Sequence, residues 1–231
     1  MNTSKPIIGI LGGMGPRATV KFEDILLDKL PGTDQELPTI ITINDGSTPD
    51  RSSFLLGKGA DPVPVQQKNL DLLEQAGATI ICIPCNTSCA PAIFDRLKAH
   101  TSLPIINLPD EVSKQIKNMS LEAVFLLATE GTVKSDVYQN VCAANAIRCI
   151  EPDNNTQELA TKVISAVKNN DMITARAAAS KIKPLIERSG AKGVILGCAE
   201  LPLVVDELVP SDCTPIDTLD VLAQATAAYV K

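Results

Sequence analysis

Tryptophan is absent from this chain and aromatic residues make up only 3% of it, which leaves no platform for stacking nucleobases and little for sugar rings. Histidine is as scarce. The single one, His100, falls at a predicted helix end far from any motif, so a Cys–His hydrolase would lack its base. Basic charge is in deficit, with 21 Lys and Arg against 27 Asp and Glu, and the net charge of −6 argues against a basic face and a nucleic-acid partner. A few focused cations could still hold an anionic ligand. No apolar run is long enough to span a bilayer, so no membrane partner is expected. The first apolar stretch reads as a strand rather than a signal segment, and a cytoplasmic protein is expected. Cysteines number seven, an odd count in a chain of this size, which argues against a secreted disulfide scaffold.

What is present is a regular alternation. Ile7–Leu11 reads as a buried parallel strand, the turn Gly12-Gly13-Met14-Gly15-Pro16 follows, and Ala18–Leu30 continues as a helix. Thr39–Ile43, Thr79–Ile83 and Leu103–Ile106 read as further strands, and Val65–Gln75 and Pro91–Ala99 as helices. Asn44–Pro64 reads as a long polar loop carrying Arg51. The pattern then restarts. Ala123–Leu127 ends in Ala128-Thr129-Glu130-Gly131, echoing the first turn, and helices are expected over Lys134–Ala143, Gln157–Lys168, Met172–Arg188 and Leu219–Val230. The class is therefore α/β: two similar lobes, each a parallel sheet flanked by helices, related by a pseudo-twofold, with an active site in the cleft between them. The expected lobes are residues 1–106 completed by a C-terminal helix at 217–231, and residues 107–216.

Two stretches stand out within this repeat. GATIICIPCNT at Gly77–Thr87 and GAKGVILGCAE at Gly190–Glu200 both run from Gly-Ala through apolar residues to a cysteine, and one offset of 113 residues relates the glycines and the cysteines alike. Cysteine is usually a buried packing residue, the ordinary reading for Cys82, Cys142, Cys149 and Cys213. Cys85 and Cys198, equivalently placed at two strand ends, invite another. A cysteine between a strand and a helix gains thiolate character from the helix dipole. Paired cysteines can take a proton from one face of a carbon and return one to the other.

Rival motifs are weaker. Cys82-x-x-Cys85-x-x-x-Cys89 resembles metal-ligand spacing, but no second CxxC or histidine completes it. Gly13-Met14-Gly15-Pro16-Arg17-Ala18 fits a dinucleotide fingerprint formally, with Pro16 inside the turn and no acid at the right distance; the turn serves equally as an amide nest for a carboxylate. Arg51 could clamp a carboxylate or simply be solvated, Lys168 could be a dipole cation at a helix end, and Glu200 could hold a substrate ammonium or cap a turn.

GILGGMGP at Gly9–Pro16, PCNTS at Pro84–Ser88 and GCAELP at Gly197–Pro202 together resemble the aspartate/glutamate racemase family, the cofactor-independent amino-acid racemases, and Glu200 resembles the aspartate branch. The resemblance implies Cys85 and Cys198 as catalytic acid/bases, with neither pyridoxal phosphate nor metal. It implies Met14, Asn86, Thr87 and Thr129 around the α-carboxylate and amino group, and Arg51 and Lys168 on the distal carboxylate. The implied substrate is a small amino acid, aspartate or glutamate, and the implied assembly a homodimer. Cys89 stands where the family usually has histidine, and Ala199 where it has threonine. Related two-cysteine isomerases or decarboxylases, and a non-catalytic amino-acid binder, are the rival readings.

Overall fold

The computed structural model describes residues 5–230. They fall into two compact units: residues up to Leu108 together with those from Leu219 onward, and Pro109–Thr218.

The first unit opens with β1 (Ile8–Gly12), buried throughout, and turns into α1 (Pro16–Lys29), with Pro16 at the start of the helix where a missing N–H costs nothing. Then come β2 (Ile40–Asn44), the short helix α2 (Arg51–Leu55), α3 (Val63–Gln75) and β3 (Ile80–Cys82). A 3-10 turn at Asn86–Cys89 leads into α4 (Pro91–Lys98). The sheet order is β2-β1-β3, all parallel, with Ile10 in register with Thr42 on one side and Cys82 on the other.

Helix α5 (Leu108–Asn118) crosses into the second unit. There β4 (Ala123–Ala128), α6 (Glu130–Lys134), α7 (Val137–Ala144), β5 (Arg148–Ile150), α8 (Asn154–Lys168), α9 (Met172–Ser189) and β6 (Gly193–Gly197) follow. A 3-10 turn at Leu201–Val204, α10 (Val205–Leu208) and β7 (Thr214–Asp217) complete it. Its parallel sheet has the order β5-β4-β6-β7. The first three strands repeat the order of the other sheet, so the architecture is α/β with two parallel sheets flanked by helices. α11 (Thr218–Tyr229) packs its buried Leu219, Leu222 and Ala223 into the first unit, where Asp220 pairs with Lys29 of α1 at 2.6 Å.

Gly77 and Gly190, which open the two matched stretches, have φ of 94° and 74°. Each lies just past a helix, α3 or α9, in the left-handed region that glycine enters without a Cβ clash.

Four expectations change. The Asn44–Pro64 segment is not all loop: Asp50 accepts a hydrogen bond from the Ser53 amide (2.6 Å) and starts α2. The strand at Leu103–Ile106 shrinks to one bridge between Ile81 and Ile105. The helix at Lys134–Ala143 is two, broken where Asp136 adopts φ 52°. Helix α5 went unread, although Leu108, Val112 and Ile116 recur every four residues and are all fully buried.

Candidate active site

In the first unit the sheet's C-terminal edge gathers five of the sequence-selected residues. β1 delivers Met14 and β3 delivers Cys85, Asn86 and Thr87, all four 5–7% exposed. Ser88 ties the two turns together by donating to Met14 Sδ at 3.3 Å. Arg51 begins α2 and is only half-buried, but it is no solvated surface arginine. Its Nη2 donates to the Met14 carbonyl (2.6 Å), and its Nη1 to the carbonyls of Pro49 (2.9 Å) and Thr48 (3.3 Å). A guanidinium carries five N–H groups, so three carbonyls do not exhaust it, and its buried Nε has no partner. Cys89, itself buried, donates its thiol to the Cys85 carbonyl at 3.5 Å.

The turn after β1 is packed against its neighbours. Gly13 has φ 88°, and a Cβ there would lie 2.2 Å from the Asp45 carbonyl oxygen. Its amide donates to Thr19 Oγ1 at 2.9 Å, so this N–H is spent inside the protein rather than offered to an anion, as a nest would have it. Asp45 in turn is fixed by Ser47 and Asn69, whose hydrogen bonds hold its carboxyl below the usual range. Thr19 and Asn69 were missed in sequence; the one available signal was their place on the inner faces of α1 and α3.

In the second unit β4 and β6 are neighbours in register, with Ala128 beside Gly197, and this sets Thr129 next to Cys198 along the sheet edge. Thr129 caps α6, its Oγ1 accepting from the Thr132 amide. Cys198 is half-buried and donates its thiol proton to Glu200 Oε2 at 2.8 Å. Burial first, then the Glu200 carboxylate, push the thiol well above its ordinary value, while Lys168 at the end of α8 pulls the other way. The expected dipole-driven fall in pKa is therefore reversed at Cys198. The helix that follows is a single 3-10 turn, too short to outweigh desolvation and a carboxylate in contact. Glu200, read as a group for a substrate ammonium or a cap, is spent on Cys198 in this structure.

Of the remaining cysteines, Cys82, Cys142 and Cys213 are buried and Cys149 is half-buried. Cys82 donates to the Gly9 carbonyl and meets Thr226 of α11, and burial drives its thiol up to about 12. Among the described residues no group of three or more His, Cys, Asp or Glu side chains is placed to hold a metal ion. No helix among them is long and apolar enough to cross a membrane.

A description of the Asp/Glu/Hydantoin racemase family matches residues 11–226. The chain belongs to that family. It is 30% identical over 230 residues to the broad specificity amino-acid racemase RacX of Bacillus subtilis (strain 168), an alignment covering 96% of this chain and 97% of that protein. The aspartate racemase of Picrophilus torridus superposes with a TM-score of 0.83 at 29% identity, over 97% of this chain and 94% of that one. A glutamate racemase from Francisella tularensis, solved with D-glutamate, gives 0.68 at 17% identity over 98% and 81%, a likeness of fold alone. The two cysteines of the matched stretches thus sit at strand ends in a racemase-family fold.

Proposed function

We propose that this family member racemises aspartate, with glutamate as the alternative substrate, by two-base proton transfer between Cys85 and Cys198 and without pyridoxal phosphate or metal. The observation that carries the reading is the contact of the Cys198 sulfur with Glu200 Oε2 at 2.8 Å, which with burial favours the protonated thiol. Inversion at a carbon requires one group that lacks a proton and one that has it. Cys198 enters as the acid and Cys85 as the base for one enantiomer, and the roles exchange on the return.

Negative charge developing on the α-carboxylate is the electrostatic load of this reaction. Asn86, Thr87 and Thr129 supply neutral donors for it, with Met14 beside them. The distal carboxylate goes to Arg51, whose Nε is unspent, and to Lys168. The likeness to an aspartate racemase at 29% identity supports the aspartate assignment, and the broad-specificity relative supports tolerance of the longer acid. The homodimer implied by the family resemblance belongs to the same reading and is measured by sedimentation.

The test is incubation of purified protein with each enantiomer of aspartate and glutamate in D₂O, with no cofactor added. Deuterium enters the α-position as optical activity decays. Absence of α-deuterium from every amino acid tried overturns the reading.

A further inference from the structure

The sequence pattern starts a helix at Gln157; the structure starts α8 earlier, at Asn154, where Asp153 caps it by accepting from the Thr156 amide at 2.8 Å. Gln157 therefore sits inside the helix, its backbone amide bonded to the Asp153 carbonyl. Its side chain reaches away from α8. Nε2 donates to the carbonyl of Ala128, the last residue of β4, at 3.1 Å, and to Thr161 Oγ1 at 3.3 Å. A carbonyl only accepts, so this bond fixes which end of the amide faces β4. The other end, Oε1, is buried and accepts from no group. A buried acceptor without a donor is unfavourable, so Gln157 holds Ala128 in spite of what it does to its own oxygen.

The hold falls where the sheet gives least support. β5 accompanies β4 only from Ala123 to Phe125, whereas β6 stays with it to Ala128, beside Gly197. Among the described residues, no strand flanks the last part of β4 on the β5 side. The next residue is Thr129. Its Oγ1 accepts from the Thr132 amide at 3.4 Å and lies 2.9 Å from the Thr132 hydroxyl. The Ala128 carbonyl and the Thr129 amide belong to one planar peptide unit, so a bond that fixes the carbonyl also fixes the direction in which the chain enters Thr129.

We propose that Gln157 is a positioning residue of the racemase site, which holds the Ala128–Thr129 peptide plane and so aims the Thr129 hydroxyl at the substrate's α-carboxylate. The inference rests on the role given to Thr129 above and extends it outward to α8. Negative charge grows on the α-carboxylate as the proton leaves, so a donor displaced by a fraction of an ångström is missed most in the transition state. The effect of losing Gln157 therefore falls on kcat and spares KM.

Four variants test this: Gln157→Leu, which removes the donor together with the unpaired oxygen; Gln157→Asn, which keeps the amide but is one methylene too short; Thr129→Ala; and the double variant Gln157→Leu/Thr129→Ala. Each is assayed by α-deuterium exchange with the amino acid that the parent protein exchanges fastest, and a urea titration checks its fold. Both Gln157 variants should lose about tenfold in kcat with KM unchanged within about twofold, and Thr129→Ala about a hundredfold in kcat. The double variant should match Thr129→Ala within about twofold, because a residue that acts through Thr129 has nothing left to position. Should the leucine variant fail to fold, the asparagine variant alone, combined with Thr129→Ala, decides. Three results overturn the inference while leaving the racemase reading in place: Gln157 variants as active as the parent, a loss confined to KM, or losses that multiply in the double variant, as those of a merely structural residue would. A parent protein that exchanges α-deuterium with no amino acid fails the racemase reading itself, and the inference falls with it.

Discussion

At the end of β3, Cys85 is 7% exposed and shares its turn with an amide, two hydroxyls and a second thiol, all of them neutral. At the end of β6, Cys198 is half-buried, in contact with a carboxylate and within the field of a lysine. The strand order around the two is the same, β2-β1-β3 in one sheet and β5-β4-β6 in the other. Repetition of an α/β unit thus reproduces the position of a thiol while leaving its electrostatics free to diverge. Such divergence biases which thiol of a pair holds the proton, a choice that two equivalent thiols would leave even.

Replacing either cysteine is the severest way to probe the comparison. Cys85→Ser and Cys198→Ser should each lower kcat for α-deuterium exchange by about a thousandfold or more, because a serine hydroxyl is a far poorer base than a thiolate. Activity surviving either change near the original level would break the pairing of the two turns.

A second probe sets the tight turn of the first unit against its echo. Gly13 follows β1 and Thr129 follows β4, and at Gly13 an added Cβ would meet the Asp45 backbone. Gly13→Ala forces both a positive φ and a clash with Asp45, and should cost about 2–4 kcal/mol in a urea titration. A variant as stable as the parent would show that the turn can be remodelled freely.

The smallest effects are the most discriminating. Glu200→Gln removes the negative charge that raises the Cys198 thiol, so the basic limb of the pH–rate profile, where Cys198 loses its proton, should move to lower pH, with kcat down roughly tenfold. Lys168→Gln removes the charge that lowers the same thiol, and the limb should move the opposite way, with a change of only about a few-fold in kcat. Shifts in the same direction would show that the limb belongs to another group.

Much of the fold was legible in the sequence because parallel strands buried on both faces leave unbroken apolar runs, as at Ile8–Gly12 and Gly193–Gly197. The restart after residue 106 was legible for the same reason. Short elements were not: α2 depends on one aspartate cap, and the run at Leu103–Ile106 reads as a strand but makes a single bridge. The positions of the two cysteines could be read from their shared offset, but their environments could not. The rise at Cys198 comes from a carboxylate two residues on folding back to the sulfur, and the grip of Arg51 on three carbonyls comes from a loop whose path no periodicity announces.

The return of α11 to the first unit bears on how the molecule is made. The segment that completes the first unit leaves the ribosome only after the whole of the second has been synthesised. Cys82 and the inner face of β3 therefore wait, without the cover of Thr226, while a later-made and contiguous unit has all its residues in hand. Vectorial synthesis inverts the order of the chain: the second unit is the first able to finish folding, and the first unit closes last.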